Sequence, residues 1–135
     1  MVEVALLLVE DEPLIALSVE ELLAEGGYAV IAAASGAKAM EILEAGEPVI
    51  SGIVTDIRCP PGADGWELAR RGRELNPNLA VVYFSGDSAH DHRARGVPDS
   101  VMVQKPFAAS QIITAISMLL NAVPSPSSAN DPDDA

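Results

Sequence analysis

Three carboxylates stand in a row at Glu10, Asp11 and Glu12, directly after the aliphatic run Val4–Val9 and before Pro13. A fourth, Asp56, closes the apolar stretch GIVTD, and the hydroxyl of Ser85 closes VVYFS just ahead of Gly86 and Asp87. Lys105, one of two lysines in the chain, follows VMVQ and precedes Pro106 and Phe107. Like charges packed as closely as residues 10–12 repel, and burying even one without a counter-charge is expensive. An oxygen-rich cluster of this kind suits a hard divalent cation, and Mg²⁺ is satisfied by a few carboxylates plus water and phosphate.

These residues need elements that bring them together. Short apolar runs at Val4–Val9, Tyr28–Ala33, Ile50–Thr55, Leu79–Phe84 and Val101–Val103 are expected strands. Between them the spacing predicts helices. The first runs from Pro13 to Glu25, with proline in the tolerated first turn and Leu14, Leu17, Leu22 and Leu23 as its apolar side. Ser35 is the expected N-cap of Ala37–Ala45, which Gly46 ends. A third helix covers Gly65–Leu75, stopped by Asn76–Pro77, with Trp66 as a partly buried anchor. Ser88–Arg95 is a weaker fourth, and Phe107–Asn121 a fifth whose stripe is Ile112, Ile113, Ile116, Leu119 and Leu120. Strands alternating with helices give an α/β fold, a five-stranded parallel sheet covered on both faces. In a doubly wound sheet the working site lies beyond the carboxyl ends of the strands. That is where Glu10–Glu12, Asp56, Ser85–Asp87 and Lys105 all fall.

Composition narrows the function. The chain has 135 residues, enough for one domain with a real core, and a formal net charge of −12. That charge argues against nucleic acid or an anionic membrane as a direct partner. A single cysteine, Cys59, rules out an internal disulfide and fits a reducing cytoplasm; three residues after Asp56, it is expected to pack. No apolar run approaches membrane-spanning length, and no signal peptide precedes the first strand, so a cytoplasmic location is expected. Residues 122–135, AVPSPSSANDPDDA, cannot bury apolar area and read as a disordered tail. His90 and His92, two apart and on different sides of a helix, make a poor zinc site. Arg70, Arg71 and Arg73 read as a solvated helix face.

The set Glu10–Asp11, Asp56, Ser85 and Lys105–Pro106–Phe107, in this order and on these strand ends, resembles the receiver domain of bacterial two-component response regulators over about residues 3–121. The resemblance implies a flavodoxin-like (βα)5 domain with strand order 2-1-3-4-5. It implies that Asp56 is the phospho-acceptor, its carboxylate attacking phosphorus to become an aspartyl phosphate. Asp11 matches the direct Mg²⁺ ligand, Glu10 a ligand acting through water, and the carbonyl of Arg58 the backbone ligand. Lys105 matches the counter-charge to the phosphoryl oxygens, and Ser85 the hydroxyl that bonds the phosphoryl group after transfer. Pro106 matches a proline preceded by a cis peptide bond. The implied partners are a histidine kinase or phosphotransfer protein and a downstream protein, with the domain a monomer or weak dimer. The implied protein promotes only its own phosphorylation and dephosphorylation and is not otherwise an enzyme.

Two departures stand out. The interval from Asp56 to Asp64–Gly65 is one residue longer than usual, which calls for a bulge at Pro61–Gly62–Ala63. Three residues before Lys105, where an aromatic usually swings inward on activation, stands Met102. Rival classes fit less well. A flavodoxin-type site would put a phosphate-cradling Ser/Thr/Gly loop where three acids stand, and a dinucleotide fold would need G-x-G-x-x-G there. An aspartyl-phosphate phosphatase would place a second Asp where Arg58 stands. A degenerate receiver serving as a phosphorylation-independent interaction module would be expected to lose the acids or the lysine, and both are present. Arg58 and Asp87, each two residues beyond a site residue on neighbouring loops, are expected to pair across the mouth of the site.

Overall fold

The computed structural model describes residues 4–121, and the expected tail lies outside them. Strands β1 (Ala5–Val9), β2 (Ala29–Ala33), β3 (Gly52–Asp56), β4 (Ala80–Ser85) and β5 (Val101–Gln104) form one parallel sheet in the order β2-β1-β3-β4-β5. Helices α1 (Pro13–Glu25), α2 (Gly36–Ala45), α3 (Gly65–Leu75), α4 (His92–Arg95) and α5 (Ala109–Asn121) alternate with them, and a 3₁₀ turn at Ala89–Asp91 leads into α4.

The period of two along a strand divides the core. In β1, Leu7 and Val9 join α2 and α3 on one face, where they meet Ala39, Leu43, Trp66 and Leu68. Leu6 and Leu8 join α1 and α5 on the other, against Val19, Leu23, Ile112 and Ile116. The central strands are buried on both faces, as a parallel sheet with helices on either side requires. No helix among the described residues is long and apolar enough to cross a membrane.

Local chemistry sets the helix ends. Ser35 Oγ accepts the Lys38 amide at 3.1 Å, and Gly46 closes α2 in the left-handed region. Asp64 and Glu67 form a reciprocal capping box at the start of α3, and Asn76 ends that helix.

The structure revises five details. Leu14 and Leu17 are 78% and 52% exposed, because α1 turns Ile15, Ala16, Val19 and Leu23 to the sheet instead. Trp66 is wholly buried, its ring 4.7 Å from Tyr83 and covered by the Arg95 guanidinium. The fourth helix is reduced to the 3₁₀ turn plus α4, neither of which buries a residue, and α5 begins at Ala109 after Phe107 has packed on Phe84. Of the arginines on α3, Arg71 pairs with Glu44 and Glu74 and Arg73 donates to the Leu79 carbonyl, leaving Arg70 as the solvated member.

Candidate phosphoryl-transfer site

Because β1, β3 and β4 are neighbours in register, Val9 beside Thr55 and Asp56 beside Phe84, the residues that follow them meet at one edge. Carboxylate oxygens of Glu10, Asp11 and Asp56 lie within 4.8 Å of one another, and theirs is the group of three potential metal ligands found among the described residues. Glu10 and Asp56 are buried and Asp11 is exposed, so the cluster opens to solvent on Asp11's side.

Lys105 enters from the end of β5. Its Nζ lies 2.9 Å from Asp56 Oδ2 and 3.3 Å from Glu10 Oε1. Burial alone would lower the Lys105 pKa, but the hydrogen bond to Asp56 and the charges of Asp56 and Glu10 outweigh it and raise the pKa. Glu10 is pushed above the usual carboxylate range, chiefly by burial, against the Glu12 amide and Lys105, which favour its charged form. Glu10 Oε2 accepts the Glu12 amide at 3.0 Å, while Oε1 is buried without a hydrogen bond. Three like-charged groups with one lysine between them leave an excess of negative charge. Glu10 Oε1, which has only the Lys105 ammonium near it at 3.3 Å and outside hydrogen-bond geometry, is a buried acceptor beside that excess that a hydrated hard cation would satisfy.

Asp56 Oδ1 accepts the Arg58 amide at 3.3 Å, which sets the backbone of Arg58 beside the Asp56 carboxylate. The Arg58 guanidinium reaches Asp87 at 3.4 Å, as their positions in the chain predict. Ser85 ends β4, but its Oγ accepts the amides of Ser88 at 2.8 Å and Asp87 at 3.2 Å and bonds neither Asp56 nor Lys105. The peptide bond before Pro106 is cis. Met102 is half-buried, packed on the α2–α3 side of the core beside Tyr83. Cys59 is buried with its Sγ on the Ala34 carbonyl, and burial followed by the nearby carboxylates pushes its thiol up to about 12. His90 and His92 have separate partners: His90 faces Asp91, and His92 Nε2 lies 2.8 Å from Ser100 Oγ.

One connection escaped sequence reasoning. The loop Arg58–Asp64 is fastened to the start of α2, with the Gly36 amide donating to the Cys59 carbonyl at 2.7 Å and the Ala37 amide to the Pro61 carbonyl at 2.9 Å. The turn at Pro61–Gly62–Ala63 places Gly62 at φ +99°, where its missing side chain admits Ala37. The only signal in the sequence is the glycine at each side, Gly36 and Gly62.

Comparisons with known proteins agree with this fold. A family model described as response regulator receiver domain matches residues 6–117. The response regulator receiver protein CpdR of Brucella abortus (strain 2308) is 32% identical over 119 residues, covering 87% of this chain and 97% of its own length. The sensor kinase CckA of the same organism is 34% identical over 117 residues, which are 84% of this chain but 12% of the kinase. The crystal structure of a response regulator receiver protein from Sinorhizobium medicae WSM419 superposes with a TM-score of 0.86 at 46% identity, covering 90% of this chain and 98% of that one.

Proposed function

The chain belongs to the response regulator receiver domain family, and from its site we propose that it is a phosphorylation-controlled switch carrying its phosphoryl group on Asp56. Receiver domains act in two-component signalling, exchange phosphoryl groups with histidine kinases and phosphotransfer proteins, and bind Mg²⁺ at an acidic cluster. The observation that carries the proposal is the contact of Lys105 Nζ with Asp56 Oδ2 at 2.9 Å, inside a cluster that also holds Glu10 and Asp11.

In this reading an Asp56 carboxylate oxygen attacks phosphorus of a phosphohistidine. The phosphorus–nitrogen bond breaks, and its electron pair returns to the imidazole. Lys105 neutralises charge on the transferring oxygens and holds the carboxylate ready. Asp11, Asp56 and the Arg58 carbonyl would hold Mg²⁺, with Glu10 reached through a bound water. The ion supplies charge compensation that lets an anionic nucleophile approach an anionic phosphoryl group. Afterwards the Ser85 hydroxyl turns from the Ser88 and Asp87 amides to the new phosphoryl oxygens. That turn frees the segment leading to α4 and alters the surface a downstream protein meets. The protein then acts as a carrier and switch, an enzyme only toward its own aspartyl phosphate, and a cytoplasmic location goes with such donors.

Retention of both acids and the lysine speaks against a degenerate, phosphorylation-independent module. The test is labelling with a small acyl-phosphate donor such as acetyl phosphate. Wild type is expected to take label only with Mg²⁺, stopped by chelation and absent in Asp56→Asn. Full labelling of Asp56→Asn would overturn the assignment.

A further inference from the structure

Between Asp56 and Pro61 the backbone carbonyls divide into two kinds. Those of Asp56 and Ile57 are taken by Thr55 Oγ1 at 2.7 Å and by the Gly65 amide at 2.8 Å. Those of Cys59 and Pro61 are taken by the first amides of α2. Among the described residues, the carbonyls of Arg58 and Pro60 receive no hydrogen bond. Pro60 lies between the two fastened residues and is exposed. Arg58 comes directly after the segment bonded to Gly65, and its own amide is tied to Asp56 Oδ1. Fastening on both sides thus leaves free the carbonyl of the residue whose amide is bonded to the acidic cluster, Arg58.

We propose that the start of α2 is a positioning element for the metal site. The Gly36 and Ala37 amides, together with the Ala34 carbonyl that accepts from Cys59 Sγ, fix the loop after Asp56 and so fix the Arg58 carbonyl as a preorganised oxygen ligand. An outer contact of this kind acts through the ligand it holds and never touches the ion, yet it sets how much ordering the ion must impose on binding. The extra residue in this loop makes such a fastening necessary, since a longer loop without it has more conformations to lose. The close fit is visible at both glycines. A Cβ on Gly36 would overlap the carbonyl oxygen of Ala63, and one on Gly62 would lie 2.5 Å from the Ala37 nitrogen. By linkage the coupling is mutual, so an ion that orders the Arg58 carbonyl also tightens the start of α2.

This inference rests on the metal site proposed above, and its test keeps the two apart. Mg²⁺ affinity is measured by titration, without a phospho-donor, in wild type, Gly36→Ala, Gly62→Ala and Gly46→Ala. Gly36→Ala and Gly62→Ala push the loop from α2 and are expected to weaken Mg²⁺ by about tenfold, the low end for losing an outer contact of a ligand. Gly46→Ala is the control: it places a side chain at a left-handed residue, φ +73°, at the far end of α2 in open space. It should cost stability and leave affinity unchanged. In wild type, hydrogen exchange at the Gly36 and Ala37 amides should slow severalfold when Mg²⁺ is added, a measurement that needs no variant to fold. Unchanged affinity in the two loop variants, or exchange at these amides indifferent to Mg²⁺, overturns the inference while the metal site stands. Failure of wild type to bind Mg²⁺ at all overturns both.

Discussion

Tyr83 lies beside Met102 in the register of β4 and β5, and its phenolic oxygen accepts the amide of Val97 at 3.1 Å. A fully buried strand residue thus holds the loop between α4 and β5, with its ring between Trp66 and the edge of His92. The aromatic absent from position 102 is present one strand over. Burial raises the pKa of Tyr83, with the Val97 bond and nearby arginines working the other way. A group whose pKa is raised on folding contributes stability in full below its unfolded value, about 10, and that contribution is lost as pH rises through the folded value. Tyr83→Phe is therefore expected to lower stability at pH 8 by about 1–3 kcal/mol, for the orphaned Val97 amide. It should also remove part of the alkaline loss, so that the gap between wild type and variant narrows as pH rises above about 10. Urea unfolding across that range measures it, and a constant gap would reject the role of ionisation.

Lys105 is the single cation inside the acidic cluster. Lys105→Met leaves Asp56 and Glu10 facing each other without compensation, and should destabilise the metal-free protein by about 1–3 kcal/mol, less than for a fully buried pair because Lys105 retains some exposure. Asp11→Asn and Asp56→Asn relieve repulsion and should raise metal-free stability by up to about 1 kcal/mol each while weakening Mg²⁺ binding. The decisive number is the coupling. Combining Lys105→Met with Asp56→Asn should cost less than the sum of the singles. Strict additivity in thermal unfolding would mean that the 2.9 Å contact carries no energy in solution.

Legibility followed period and charge. Strands buried on both faces announce themselves as aliphatic runs, and three of them end directly at Glu10, Asp56 and Ser85, with Lys105 separated from the last run by Gln104, so these residues and Asp11 could be assigned to one edge without coordinates. Leu14 and Leu17 misled because a leucine-rich helix offers more than one apolar side, and only packing selects Ile15, Val19 and Leu23. Trp66 looked half-exposed because nothing local reveals that Tyr83 and Arg95 close over it. The fastening of residues 59–61 to α2 was invisible because backbone amides and carbonyls are the same in every residue, and only the fold decides which of them meet.

The α4 segment is held by polar and aromatic contacts instead of buried apolar side chains. Ser85 Oγ accepts two amides at its entry, His92 reaches Ser100, and Arg95 lies on Trp66 and near Asp64. Elements of this type open at low cost. With Mg²⁺ and beryllofluoride as a phosphoryl mimic, hydrogen exchange is expected to change most across residues 85–96. Arg95→Ala should speed exchange there even without the mimic. A flat profile in this segment with changes elsewhere would place the moving element in another part of the domain.

Arg58 and Asp87 face each other at 3.4 Å, on the loops that follow β3 and β4, with side chains 72% and 63% exposed. Hydrolysis of an aspartyl phosphate needs water to attack phosphorus in line. The bond to the Asp56 oxygen breaks with its electron pair returning to the carboxylate, inorganic phosphate departs, and the water proton passes to solvent. A pair spanning the mouth is expected to obstruct that approach. An exposed ion pair contributes about 0.2–1 kcal/mol, so the expected lengthening of the phosphoryl lifetime is at most about fivefold. Arg58→Ala and Asp87→Ala are each expected to speed dephosphorylation within that limit, the double variant to add little, and raised salt to act on wild type in the same direction. Exchanging the charges, Arg58→Asp with Asp87→Arg, should restore much of the lifetime, which tells a gate from a loss of local structure. The competing arrangement, in which the Arg58 guanidinium stabilises the departing phosphoryl oxygens, predicts the opposite sign. Slower release of phosphate from Arg58→Ala, followed after removal of the donor, would reject the gate in its favour.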